Sequence, residues 1–243
     1  MAIDLWLEEL DVTDEQYQYY WSLLDRNEQD KALRFVQTMH SRRYVASHGK
    51  LRLILAEYLG IFPEKIGYAE QAFGKPVIVI DGLEHGIKFN LAHSDNKMLV
   101  AVGLDANIGV DIEVWNDRVD AVSVANICFA ESEQCFWSGL PESGKDEFFY
   151  RLWTRKESFV KAVGVGLGLD VSTVVSSMVG AARFLSVPEG YGSSEDWALV
   201  DLNFGDGISA ALTVPAKCFE GVELRRLGFS FEVRQTARLN RSP

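Results

Sequence analysis

The chain of 243 residues is 47% hydrophobic and 24% charged, and its formal net charge of −11 excludes a general nucleic-acid binder and fits a globular protein with a buried core. No apolar run approaches the ~20 residues that span a bilayer, and the opening "MAIDLWLEEL" has acids and no basic segment, so no membrane span or signal peptide is expected and the expected compartment is the cytoplasm. Cys128, Cys135 and Cys218 form no C-x-x-C pair, and the histidines lack zinc-ligand spacing, so the cysteines read as small apolar residues.

In chain order, the N-terminal third reads as helical. Thr13, with Gln16 three residues on, has the signature of a capping box ahead of good helix formers. A second helix carries Val45, Leu51, Leu55 and Leu59 and stops at Gly60, with Pro63 soon after. Between Lys31 and Arg52 lie Lys31, Arg34, Arg42, Arg43, Lys50 and Arg52 and no acid. In an acidic protein that stretch suits a small anionic ligand, and equally a solvated helix face. Strands are expected at 77–80, 87–92, 98–104 and 108–114, with 94–97 as a turn. The second half then runs through a loop-rich segment into a long helix, "KDEFFYRLWTRKESFVKAVG", ending at Gly164. Further strands are expected at 171–178, 182–187, 197–204 and 208–214, with "GDG" at 205–207 as a hairpin turn. Helix followed by strands thus occurs twice. The expected fold is α+β, two similar halves (a pseudo-dimer), each a long helix packed on a small antiparallel sheet, divided as 1–108 and 109–243. The arginine-rich tail from Leu224 is expected to be a surface strand followed by a loose end.

"GVDIE" (109–113) puts Asp111 and Glu113 on one face of a strand, with Val110 and Ile112 pointing into a core. Two like charges on one face call for something positive between them. On the second-half helix, Trp153, Glu157 and Lys161 share a face, with Lys156 at its edge. Alone, Glu157 and Lys161 make a helix ion pair worth about 0.2–0.5 kcal/mol. Together, Asp111, Glu113 and Glu157 can supply the oxygen ligands of Mg²⁺, an ion usually held by a few carboxylates plus substrate phosphates. The basic stretch would meet the rest of a phosphorylated substrate, a layout suited to phosphoryl transfer. Trp153 reads as a core residue without a catalytic role. "GVGLG" (164–168) follows a helix and opens none, so it is no dinucleotide loop, and "GKP" (74–76) lacks the rest of a P-loop.

With "KALRF" (31–35), "GKP" (74–76), "FNLAHS" (89–94), "GVDIE" (109–113) and "LWTRKESFVKAVGVGL" (152–167) in that order, the chain resembles the 4′-phosphopantetheinyl transferases of the larger Sfp (surfactin) type. The last two motifs are the specific ones. The resemblance implies transfer of the phosphopantetheine arm of coenzyme A to a serine of an apo acyl or peptidyl carrier protein, releasing adenosine 3′,5′-bisphosphate. By position it implies that Asp111, Glu113 and Glu157 bind Mg²⁺; Glu157 is also placed to accept the serine proton, directly or through a water. Lys161, with Lys156 beside it, and His93 would contact the diphosphate; Lys31, Arg34 and Arg43 would hold the 3′-phosphate; and Gly74, Lys75 and Pro76 would lie along the adenine. Ala92 stands where many members have a serine whose hydroxyl can bond phosphate, so a tuned affinity for coenzyme A is expected there. The apolar Val122, Val124, Ile127 and Phe129, or the arginine-rich tail, are expected to meet the carrier protein. A monomer is implied, since both halves of the cleft lie in one chain. The alternative is a homologue that binds coenzyme A or a nucleotide without transfer, against which stand the three carboxylates and Lys161.

Overall fold

The computed structural model describes residues 2–225 except Ala72, Asp105 and the side chains of Leu167 and Leu224; the arginine-rich tail beyond Arg225 lies outside the described residues. The first half comprises β1 (Ala2–Glu9), α1 (Asp14–Leu23), α2 (Arg26–Ala32), α3 (Thr38–Leu59), a small sheet of β2 (Gly67–Glu70), β3 (Pro76–Ile80) and β4 (Leu83–Glu84), and the hairpin of β5 (Ile87–Ser94) and β6 (Lys97–Leu104). Next come β7 (Gly109–Val114), α4 (Ala121–Cys128), α5 (Glu131–Ser138), α6 (Glu142–Val163), the short pair β8 (Val175–Ser176) and β9 (Phe184–Ser186), the hairpin of β10 (Trp197–Leu202) and β11 (Ile208–Pro215), and β12 (Gly221–Arg225).

Both halves contain one strand, a 22-residue helix and a hairpin in that order. In each, the strand before the helix pairs antiparallel with the second hairpin strand, giving β1-β6-β5 and β7-β11-β10. Each long helix ends on a left-handed glycine, Gly60 (φ 64°) or Gly164 (φ 75°), as the C-cap requires. The structure is therefore α+β with two similar halves. Three differences from the sequence expectation concern strands. Residues 2–9 form a central strand, masked in the sequence because both its faces are buried, Ile3 and Leu5 on one side and Trp6 on the other. β12 adds to it in parallel, so the first sheet is not wholly antiparallel. Only Val175–Ser176 of segment 171–178 is a strand, because Asp170 caps a 3₁₀ turn over Val171–Thr173.

Alternation along the strands sorts the core into layers. Met98, Val100 and Val102 face α3, packing with Val45, Leu51 and Leu55, while Leu99 and Ala101 face the second sheet. There they meet Val110, Ile112, Ala210, Leu212 and Val214, so Val110 and Ile112 of "GVDIE" anchor the contact between halves. On the far side of the second sheet, Phe159 of α6 packs on Ala211 and Leu199.

A buried cation ties each long helix to its surroundings, at the same distance before the terminal glycine. Arg52 is fully buried and donates to Glu28 (2.8 Å), Asp25 (3.0 Å) and the carbonyls of Pro63 (3.0 Å) and Ile66 (2.9 Å). Lys156, also fully buried, pairs with Glu133 at 2.7 Å and donates to the carbonyls of Val171 and Val174. Glu28 and Glu133 each also accept from the N-cap backbone of a short preceding helix, at Asp25 and Ala130. The expectation that Lys156 touches coenzyme A is thereby corrected: its ammonium points into the core. Burial lowers its proton affinity and Glu133 restores part of it. Removing one member of such a pair strands a buried charge, at a cost of about 3–5 kcal/mol. Lys156→Met is expected to lower unfolding stability by about that amount. It should leave the coenzyme A KM of the folded protein within twofold; urea denaturation beside steady-state kinetics checks both, and a raised KM at unchanged stability would restore the ligand role.

Candidate active site

The site is built where α6 lies on β7. A Cβ on Gly109 would fall 1.9 Å from the Ser158 carbonyl oxygen and 2.3 Å from the Ala162 nitrogen, so only glycine allows helix and strand to touch backbone to backbone. The helix is held in that seat from below. The Ser158 and Thr213 hydroxyls lie 2.7 Å apart, and Arg155 grips Asp201 with two nitrogens (2.7 and 2.5 Å) and the Ser177 carbonyl (2.6 Å). Thus Arg155, Lys156 and Ser158 of the helical motif face the core, and Trp153, Glu157 and Lys161 face the cleft between the halves.

Lys161 donates to Asp111 Oδ1 at 2.6 Å, while Asp111 Oδ2 is buried with no hydrogen-bond partner. Burial pushes the Asp111 carboxyl up to about 7 despite the attraction of Lys161, and Glu113 and Glu157 add to the rise. Glu157 is raised as well, by burial first; Lys161 opposes and Glu113 reinforces it. Glu113 accepts from Ser94 Oγ at 2.7 Å and from Trp153 Nε1 at 3.3 Å. Trp153, expected as a core residue, instead orients a site carboxylate and lines the cavity. Among the described residues, no three carboxylate, imidazole or thiol groups are gathered closely enough to hold a metal ion as the side chains stand. The chemistry of the donors nevertheless suits a hard cation: an orphaned carboxylate oxygen beside two further carboxylates that repel it.

A cavity of about 500 Å³ opens beside these groups, lined by Trp153, Glu157, Lys161, Gly74, Lys75 and Pro76 among others. Lys75 does not offer its charge to a ligand there. Its ammonium donates to the carbonyls of Ile108 (2.9 Å), Lys161 (2.7 Å) and Ala162 (3.3 Å), closing the end of α6, and burial with the nearby Lys88 lowers it to about 8.

The basic stretch divides. Lys50 pairs with Glu8 (2.9 Å), Arg42 with Asp14 (2.8 Å), and Arg52 lies in the core, so these three are structural. Arg43 reaches Asp95 (2.7 Å) and Asp11 (3.2 Å) beside the β5–β6 turn. Lys31 sits over the Tyr44 ring at 5.4 Å, and the exposed Arg34 donates to the Asp30 carbonyl at 3.3 Å. His93 keeps an exposed edge at the end of β5, where the surrounding protein, then Lys161, His48 and Arg43, lower its proton affinity. The structure therefore brings Asp111, Glu113, Glu157, Lys161 and the 74–76 loop together, with His93 and Arg43 bordering them and Lys31 and Arg34 farther along the first half.

Two expectations change with position. Ala92 is 4% exposed and faces the second half, in the core with Val110 and Ile112, so a hydroxyl there would meet β7 and no phosphate. Phe129 is 2% exposed and belongs to the core, whereas Val122 and Ile127 on α4 are exposed. Ser94 and Asn90 were missed. Asn90 Oδ1 accepts from the Val110 N–H (2.8 Å) and Ser94 Oγ from the Val114 N–H (3.1 Å); the motif "FNLAHS" holds both, but nothing in its spacing says that β7 will lie beside it.

Known proteins similar to this chain identify its family. Residues 107–200 match the model of the 4′-phosphopantetheinyl transferase superfamily, and residues 9–104 that of "4′-phosphopantetheinyl transferase, N-terminal". The chain is 33% identical over 213 residues to the 4′-phosphopantetheinyl transferase HetI of Nostoc sp., covering 87% of each protein. It is 27% identical over 165 residues to the 4′-phosphopantetheinyl transferase Sfp of Bacillus subtilis, covering 67% of this chain and 70% of that one. The crystal structure of Thermotoga maritima holo-[acyl-carrier-protein] synthase matches 45% of this chain and 62% of its own at 23% identity, with a TM-score of 0.38.

Two substitutions probe the geometry. Gly109→Ala is expected to push α6 from β7, lowering stability by about 1–3 kcal/mol as overpacking does and displacing Glu157 and Lys161; an unchanged denaturation midpoint would contradict the contact. Ala92→Ser is expected to leave the coenzyme A KM within twofold, because the side chain does not reach the cavity; a KM change of tenfold would contradict its placement.

Proposed function

We propose, for this chain, which belongs to the 4′-phosphopantetheinyl transferase family, that it moves the phosphopantetheine arm of coenzyme A onto a serine of an apo acyl or peptidyl carrier protein in a cleft between residues 1–108 and 109–243. The observation that carries this reading is the shared face of α6: Glu157 and Lys161 line one cavity, and Lys161 reaches Asp111 on β7.

Asp111, Glu113 and Glu157 would hold Mg²⁺, which when bound supplies neutralising charge at the diphosphate. The chain's own groups do the rest. Lys161, resting on Asp111, lines the cavity, where its ammonium would meet the charge that builds on the departing phosphate oxygen. Glu157, with its proton affinity raised by burial, accepts the proton of the serine hydroxyl as that oxygen attacks the phosphorus bearing pantetheine. The bond to adenosine 3′,5′-bisphosphate breaks as the new phosphodiester forms. His93 borders the diphosphate, and Arg43 exchanges a carboxylate partner for the 3′-phosphate, to which its planar fork is suited, with Lys31 and Arg34 beside it. The 74–76 loop lies along the adenine, its place fixed by the three bonds of Lys75. The exposed Ile127 lines the cavity and Val122 is exposed on the same short helix, a surface where the carrier would dock. Among the described residues no helix is long and apolar enough to cross a membrane, and we place the reaction in the cytoplasm, in a single chain.

The test is to incubate the protein with coenzyme A, Mg²⁺ and an apo carrier protein and weigh the carrier. A gain of one phosphopantetheine is expected; coenzyme A bound intact with no gain would favour a non-catalytic homologue. Asp111→Ala is expected to cut the rate by more than the ~10–100-fold that loss of an outer-shell partner costs, and full activity would remove Asp111 from the site.

A further inference from the structure

β7 is the outermost strand of its sheet, with β11 on one side and the first half's β5 on the other. The N–H groups of Val110 and Val114 point away from β11, towards β5. They are met by side chains: Asn90 Oδ1 takes the first at 2.8 Å and Ser94 Oγ the second at 3.1 Å. Asn90, Ala92 and Ser94 share one face of β5, just as residues 110, 112 and 114 share one edge of β7. The halves are therefore stitched by side chains of the first half to backbone of the second, with the methyl of Ala92 between the two stitches.

Ser94 does more than Asn90. Its hydroxyl accepts from the Val114 N–H with one lone pair and donates its one proton to Glu113 Oε2, a carboxylate oxygen that can only accept, 2.7 Å away. The other Glu113 oxygen accepts from Trp153 on α6 at 3.3 Å. The carboxylate is thus gripped from the first half by Ser94 and from the second by Trp153. A site ligand locked by hydrogen bonds from behind is pre-organised, and losing such an outer partner typically costs ~10–100-fold in metal affinity or activity.

We infer that Ser94 is a positioning residue: its hydroxyl sets the Glu113 carboxylate for cation binding and makes that setting depend on how the two halves meet. The inference rests on the proposed role of Glu113 at the reacting site. Asn90 supplies the internal control, since it makes the other stitch without touching Glu113.

Mn²⁺ alone, titrated into the coenzyme-free protein and followed by electron paramagnetic resonance, reads the effect without turnover. Ser94→Ala is expected to weaken Mn²⁺ binding about tenfold, within the range of outer-shell partners, and to lower kcat with the coenzyme A KM within twofold. Ser94→Thr, which keeps the hydroxyl, should restore both. Asn90→Ala should lower the thermal midpoint as much as Ser94→Ala does while leaving Mn²⁺ affinity unchanged. Wild-type Mn²⁺ affinity in Ser94→Ala, or an equal loss in Asn90→Ala, overturns the inference. Glu113→Ala separates the two readings: if it too binds Mn²⁺ and turns over normally, the role of Glu113 fails; if it does not while Ser94→Ala does, only the inference fails.

Discussion

Everything at the cleft follows from the contact of α6 with β7 at Gly109. A helix normally stands off a sheet by the length of the side chains between them. With no Cβ on Gly109 and small residues at Ser158 and Ala162, that gap closes to backbone contact. The closure brings Lys161 to Asp111 and Trp153 to Glu113, which side chains of ordinary size on a distant helix would not reach. The same turn of helix then has to be held rigid, and Arg155 and Ser158 do so by bonding to β10 and β11.

Charge at the seam is deliberately unbalanced. Three carboxylates repel one another, and one cation, Lys161, bonds Asp111 and attracts Glu157. Elsewhere the chain matches its charges: Arg52 with Glu28 and Asp25, Lys156 with Glu133, Arg155 with Asp201. Those pairs hold the two long helices in equivalent frames, although the residues differ between halves. The excess of carboxylate at the seam is what the proposed cation would balance.

Much of the architecture was legible. The glycine-stopped helices, the capping box at Thr13, the β5–β6 turn and the repeated order of helix and strands all rest on local chemistry, which acts over a few residues. β1 was not, because a strand buried on both faces loses the alternation that marks a half-buried one. The basic stretch was legible only in part. Helical periodicity distributes its cations over all faces, so Arg52 and Lys50 turn to internal acids while Arg43 and Lys31 stay outward, and only the packing says which face is which.

By itself, the sequence singled out the groups proposed to carry the chemistry: two alternate acids on a strand and an acid and a lysine one helical turn apart are set by the periods of strand and helix. Tertiary structure alone decided how these groups are held and which of their neighbours join them. Lys156, adjacent to Glu157 in the chain, is rotated about a quarter-turn or more around the helix and falls into the core. Ser94, remote in sequence from β7, meets Glu113 because the first sheet's edge lies against it. Neighbourhood across a seam depends on long-range packing of apolar faces, and that packing is non-directional, so no local motif records the partner it will bring.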